Sequence, residues 1–129
     1  MALLVLSAED VSRASSELSP DNLMALMAQV FIRLHLRDRI ELPHRLSITT
    51  DAYSALFMPA RVEGFGTTIK TVSLPGPGVQ ADVQATTLVL DEQTGAVRAV
   101  VNATSLTALR TAAGKLFSSI LNPRDGNTE

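Results

Sequence analysis

The period of the apolar residues changes along this chain, and this change limits the folds that the chain can adopt. Before Pro43 apolar residues recur at steps of three and four, and after it they alternate with polar residues. The first spacing is typical of one face of a helix and the second of a half-buried strand. Near the C-terminal end the helical spacing returns. Helices, strands and a final helix in separate blocks predict an α+β fold rather than a doubly wound sheet.

Two helices are predicted before the strands. Residues 7–10 have the pattern of a capping box that opens a short helix to about Ser16. Ser19 followed by Pro20 indicates a second helix start, and this helix is expected to run to about Arg37. Its buried stripe is expected to comprise Leu23, Leu26, Met27, Val30, Phe31 and Leu34.

The block of strands is predicted to form a mixed or antiparallel sheet of about five or six strands, by alternation and turn signals. Met1–Leu6 is too short for a signal peptide or a membrane span and is interpreted as an edge strand. Pro59 is expected to close the second of the later strands, and Asp91–Gly95 to form a hairpin connection. The later strands are expected at residues 46–49, 53–58, 66–74, 86–90 and 96–101.

A final helix is expected to begin near Thr104 or Ser105 and to end at Asn122–Pro123, before a polar tail from Arg124 to Glu129. Its buried side is expected to contain Leu106, Leu109, Ala113, Leu116, Phe117 and Ile120.

Composition excludes several classes of function. A net charge of −2 without a basic block argues against a nucleic-acid-binding protein. The absence of cysteine excludes disulfides and thiolate metal sites. His35 and His44 have no accompanying ligand set, so no metal site is expected. We expect a cytoplasmic protein that does not interact with a membrane.

Three basic residues at the edges or centres of elements are candidates for a site. Ser105–Gly114 predicts a helix start that carries Arg110 among small side chains, which leave room for a carboxylate or phosphate at its guanidinium. Lys70 lies in the middle of a strand: on the outer face it is a solvated residue, and on the inner face its charge needs an anion. A partly buried lysine can also do acid–base work. Arg45 fits either a surface residue or a site residue.

Five motifs in order give this chain a specific resemblance to the ornithine cyclodeaminase/mu-crystallin family. The resemblance covers the chain up to about Asp125. The run Val100–Ala103 is most similar to fungal members. The motifs are LPHR at 42–45, FMPA at 57–60, IKTV at 69–72, LD with TG across 90–95, and LTALRTAA at 106–113.

The resemblance implies an NAD(P)-dependent enzyme of amino-acid metabolism, including proline metabolism, that works as a homodimer on a small amino-acid or imino-acid carboxylate. Family activities include ornithine cyclodeamination, alanine dehydrogenation and ketimine reduction. The family's substrate-binding residues correspond to Arg45, Lys70 and Arg110, with Lys70 as the catalytic residue. Arg110 and Thr111 correspond to cofactor-binding positions.

The family's Rossmann domain, with its glycine fingerprint, has no counterpart in these residues. We therefore expect residues 1–125 to be an incomplete substrate and dimerisation domain, and 126–129 a tail. The chain is expected to be a truncated N-terminal part that is inactive alone and binds neither NAD nor NADP tightly. The alternative is a non-enzymatic dimerising or small-ligand-binding module of the mu-crystallin type.

Overall fold

The computed structural model describes the backbone of residues 2–121 and the side chains up to Gly114. The predicted helix end at Asn122–Pro123, the polar tail and the side chains of Leu116, Phe117 and Ile120 lie outside this description. In chain order the elements are β1 (Leu4–Leu6), α1 (Ala8–Ser16), α2 (Pro20–Leu36), β2 (Ile40–Glu41), β3 (Leu46–Thr49), β4 (Tyr53–Val62), β5 (Gly66–Pro75), β6 (Gln84–Leu90), β7 (Val97–Asn102) and α3 (Thr104–Leu121).

Both early helices begin where their capping residues predict. The Ser7 hydroxyl accepts from the Asp10 backbone N–H, and the Asp10 carboxylate accepts from the Ser7 backbone N–H, which completes a capping box. The backbone N–H and the hydroxyl of Ser7 both donate to the Asp10 carboxylate, and these two hydrogen bonds lower the pKa of Asp10. Before α2, the Ser19 hydroxyl accepts from the Asn22 backbone N–H, and Pro20 occupies the first helical position.

The strands form one mixed sheet, so the predicted α+β class is confirmed. Within the described residues the sheet has seven strands in the order β1-β7-β6-β5-β4-β2, and β3 also pairs with β4. The predicted edge strand is β1, which runs parallel to β7, while the remaining pairs are antiparallel. The two-residue strand β2 has no periodic signal in the sequence.

The expectation that Pro59 closes its strand is wrong, because β4 continues to Val62. Pro59 pairs with Ile69 of β5 on one side. On the other side β3 pairs only as far as Phe57 and β2 begins pairing at Arg61. A proline is tolerated in this gap because no neighbouring strand needs its missing N–H there.

The predicted hairpin connection between β6 and β7 is present. The Asp91 backbone N–H donates to the Ala96 carbonyl oxygen, and Gly95 adopts a φ of 72°. The Asp91 carboxylate accepts from the backbone N–H groups of Thr94 and Gln93. The Thr94 backbone hydrogen bond is the main reason that the pKa of Asp91 is lowered. The carboxylate thereby fixes the turn.

The helices form a layer on one face of the sheet, in which α1 and α2 both contact α3. The expected buried stripe of α2 is wrong for this chain: α2 has no buried residue, and Phe31 is 41% exposed. The reason is that α2 packs against α3 along one side only. Among the described residues the buried core consists of Val11, Ala85, Ala103 and Ala113. No helix in the described part of the chain is long and apolar enough to cross a bilayer.

The sheet face opposite the helices carries an apolar row of side chains. Strand alternation places Ile69, Leu88 and Val100 side by side in one row on this face, with Val5 beyond them on β1. Phe57 lies on the same face. We call these five residues the open face, because within the described residues the helical layer lies on the other side.

The loop after β5 packs tightly against the turn between β3 and β4, and it yields a stability prediction. A Cβ on Gly76 would lie 2.5 Å from the Asp51 carbonyl oxygen, whereas one on Gly114 would meet only Phe31 at 3.6 Å. Gly76→Ala is therefore expected to destabilise the chain by about 1–3 kcal/mol, the usual cost of overpacking. Gly114→Ala, the matched control, should be neutral or stabilising because alanine favours helix. Urea unfolding of both variants measures this, and equal midpoints would contradict it.

Candidate functional site

Lys70 projects from the middle of the sheet toward the helical layer. It pairs with Met58 of β4 and Thr87 of β6, so these three residues share one face. Its Nζ donates a hydrogen bond of 2.6 Å to the Thr107 hydroxyl of α3. Of the two orientations that the sequence allowed, the structure has the inward one.

Arg110 meets Lys70 at a cavity between the sheet and the helices. Arg110 lies three residues after Thr107, and residues at this spacing are neighbours on a helix surface. The cavity has a volume of about 320 Å³. It is lined by Lys70, Thr87, Thr107 and Arg110, and by apolar residues of α2, α3 and the link before α2, among them Leu23, Leu26, Met27 and Leu106. Within this lining the two cations are the charged groups.

A second cavity lies on the other side of the Lys70–Thr107 contact. It has a volume of about 610 Å³ and an apolar wall made by Val72, Leu74, Val83 and Ala85. Its polar lining consists of Lys70, Thr104, Thr107 and Thr111. Lys70 and Thr107 line both cavities, so the hydrogen bond between them marks the junction of the two spaces.

The surroundings of Lys70 disfavour its charged form. Partial burial lowers the pKa of Lys70, and the nearby Arg110 guanidinium lowers it further. Two like charges beside one cavity repel, and an anion between them removes this cost. The pair can therefore bind a carboxylate, and Lys70 can exchange a proton more readily than a free lysine.

The other two predicted site residues, Arg45 and Thr111, do not line the cavity at which Lys70 and Arg110 meet. Arg45 is exposed and precedes Leu46, which pairs with Phe57, the neighbour of Met58. The backbones of Arg45 and Lys70 are therefore about two strand spacings, roughly 10 Å, apart across the sheet. The Thr111 hydroxyl donates to the Thr107 carbonyl oxygen at 2.7 Å within α3.

Thr107 is the feature of this site that sequence reasoning missed as a functional residue. The signal was its spacing of three residues before Arg110, but the contact with Lys70 spans 37 positions and needs the fold. No cluster of histidine, aspartate or glutamate suited to a metal ion occurs within the described residues.

A mixed sheet under a helical layer, with a sheet lysine and a helix arginine at one cavity, defines an α+β domain with a dicationic candidate site. The sequence of residues 4–127 matches the model of the ornithine cyclodeaminase/mu-crystallin family. The chain belongs to this family, as its motifs predict.

Individual relatives agree with this assignment. L-lysine cyclodeaminase of Streptomyces rapamycinicus is 31% identical over 99% of this chain and 40% of its own length. An archaeal alanine dehydrogenase dimer with bound NAD is 29% identical, with a TM-score of 0.74 over 88% of this chain and 35% of that one. Thermococcus litoralis Δ1-pyrroline-2-carboxylate reductase, in complex with NADH and L-proline, is 28% identical, with a TM-score of 0.73 over 88% and 36%. The chain thus spans well under half the length of these relatives.

Proposed function

We propose that this chain is the substrate-binding and dimerisation part of an NAD(P)-dependent enzyme that acts on a small amino-acid or imino-acid carboxylate. The observation that carries the proposal is the meeting of Lys70 and Arg110 at one cavity in a member of this family. Their two cations match one carboxylate, and Arg110 can hold it through two parallel hydrogen bonds. Arg45, which precedes β3, would complete the carboxylate site.

The roles within the site follow from the chemistry of each group. Lys70 has the lowered pKa and the position on the sheet, so it would move a proton at the substrate. Arg110 presents a planar fork of N–H donors and would fix the carboxylate. Arg110 and Thr111 would also meet the cofactor phosphates. NAD or NADP would supply hydride transfer, which this chain's residues do not perform themselves.

Dependence on a nicotinamide cofactor is proposed for the whole protein. The chain is similar to relatives whose structures hold NAD or NADH. The strand, glycine turn and helix that bind a dinucleotide pyrophosphate are not among the described elements. The 129-residue polypeptide is therefore expected to bind carboxylates weakly and NADH not at all in the micromolar range.

Arg110→Met is expected to weaken L-proline binding by about tenfold or more, because a charge-assisted hydrogen bond is lost. Titration of the ¹⁵N-labelled chain with L-proline, followed by NMR, measures the affinity through the amides of Thr107 and Thr111. Arg98→Met is the matched control, since Arg98 pairs with Asp91 away from the site. A wild-type chain with no response at these amides would overturn the carboxylate site. Micromolar NADH binding in calorimetry would contradict the expectation that these 129 residues do not bind the cofactor tightly.

A further inference from the structure

The Lys70 ammonium stands at the junction of two cavities, and one side chain holds it there. A lysine carries three N–H donors on a flexible four-carbon stem. Among the hydrogen bonds of the described residues, the one from Lys70 Nζ goes to the Thr107 hydroxyl at 2.6 Å. Because Lys70 lines both cavities, the stem has room to place the ammonium in either of them.

Thr107 is itself fixed by its helix. It sits in the first turn of α3, and its carbonyl oxygen accepts from the Thr111 hydroxyl at 2.7 Å. Nearby, the Thr104 hydroxyl accepts from the Ala85 backbone N–H, which joins the start of α3 to β6. The Thr107 hydroxyl is thus attached to a helix anchored on the sheet, one turn from Arg110.

We propose that Thr107 is a positioning residue, whose hydroxyl fixes the Lys70 ammonium beside Arg110 so that both cations address one carboxylate. The inference rests on the proposed carboxylate site. Groups on the other elements around Lys70 are neutral: Met58 on β4, Thr87 on β6 and the apolar side chains of α2. Arg110 is the charged group that faces it among the lining residues.

If the Thr107 hydroxyl positions Lys70, two substitutions of Thr107 should have different effects on the pKa of Lys70. Thr107→Val keeps the shape of the side chain and removes the hydroxyl, whereas Thr107→Ser keeps the hydroxyl and removes a methyl group. A hydroxyl that accepts from the ammonium stabilises the charged form. Thr107→Val, which also releases the ammonium from its place beside Arg110, should therefore shift the pKa of Lys70 away from its wild-type value, and Thr107→Ser should leave it unchanged. A purely steric role for Thr107 would give the reverse pattern.

The experiment uses the ligand-free 129-residue chain, labelled with ¹³C and ¹⁵N at lysine. The chain contains two lysines, Lys70 and Lys115. Lys115→Arg assigns the two Cε signals, and their pH titration gives the pKa of Lys70 in each variant. Thr71→Val is the matched control, because Thr71 lies beside Lys70 in β5 but on the opposite face. A pKa of Lys70 that is the same in wild type and Thr107→Val would overturn the proposal. So would an equal shift in the valine and serine variants.

A measurement on the wild-type chain covers the case in which Thr107→Val does not fold. The ¹⁵N relaxation of the Lys70 ammonium should show restricted rotation compared with free lysine. An ammonium as mobile as that of free lysine would contradict the proposal. Neither experiment adds a carboxylate ligand. A failure of L-proline binding and a failure of the Thr107 proposal are therefore separate results.

Discussion

The chain is expected to sediment as a dimer at low micromolar concentration, and Leu88→Lys is expected to weaken this dimer by about a hundredfold or more. Leu88 lies in the middle of the open face, between Ile69 and Val100. A lysine placed there would be an unpaired charge in the centre of the contact, which costs about 3–5 kcal/mol.

The exposed surface of the chain explains why a second copy is the expected partner. Large apolar side chains stand open at both edges of the sheet: Val5 on β1 is 69% exposed, and Leu46 and Ile48 on β3 are 69% and 58% exposed. The buried core of the described residues contains four side chains. Apolar faces and strand edges of this kind favour pairing with another chain, and a two-fold contact brings the same face of each copy together.

Sedimentation equilibrium on the wild type and two variants tests the dimer. Gln93→Lys is the control, because it adds the same charge in the turn between β6 and β7, away from the open face. Far-UV circular dichroism shows whether each variant is folded. A folded wild-type monomer would contradict the proposal, as would a Leu88→Lys chain that associates as strongly as wild type.

Local signals in the sequence predicted every helix and every strand except β2, whereas the features that depend on contacts between distant residues were not predictable. The caps at Ser7 and Ser19 and the alternating strands act over a few residues, so their pattern is visible in the chain. β4 crosses Pro59 because of a gap between β2 and β3, which no local pattern shows. The exposure of α2 likewise depends on which neighbours it has, since an apolar stripe does not specify what covers it.

The candidate site was predictable in its residue types and not in its geometry. Lys70 and Arg110 belong to motifs that the family resemblance identifies. The orientation of Lys70 was open from sequence, because a strand residue can face either side of a sheet. The pairing of Lys70 with Thr107 depends on how α3 lies across β5 and β6, which is set by tertiary packing.

Lys70→Met is expected to have opposite effects on binding and stability. It should weaken L-proline binding by about tenfold or more, since a charge-assisted hydrogen bond is lost. In the absence of ligand it should raise the melting temperature at pH 7 by roughly 2–4 °C. This corresponds to somewhat under 1 kcal/mol, because solvent in the open cavity screens the charges. The substitution removes both the cost of burying the ammonium and its repulsion with Arg110.

The dependence of this gain on pH identifies its cause. The pKa of Lys70 is lower in the folded chain than in the unfolded chain. At pH values between these two pKa values the unfolded chain therefore binds more protons than the folded chain. The unfolding free energy of the wild type therefore rises with pH through that interval, and the Lys70→Met variant lacks this rise. The advantage of Lys70→Met should be fully present at neutral pH and should shrink as the pH approaches the ordinary lysine pKa.

Thermal unfolding of wild type, Lys70→Met and Lys70→Arg at neutral and alkaline pH makes the comparison. Lys70→Arg is the control, because it keeps a cation beside Arg110 at every pH and should not gain stability. L-proline should raise the melting temperature of the wild type more than that of Lys70→Met, since it binds the folded wild-type chain through both cations. A Lys70→Met chain that is less stable than wild type at neutral pH, or whose advantage does not change with pH, would show that Lys70 stabilises the fold. Lys70 would then be a structural residue, and not a site residue whose charge lowers the stability of the folded chain.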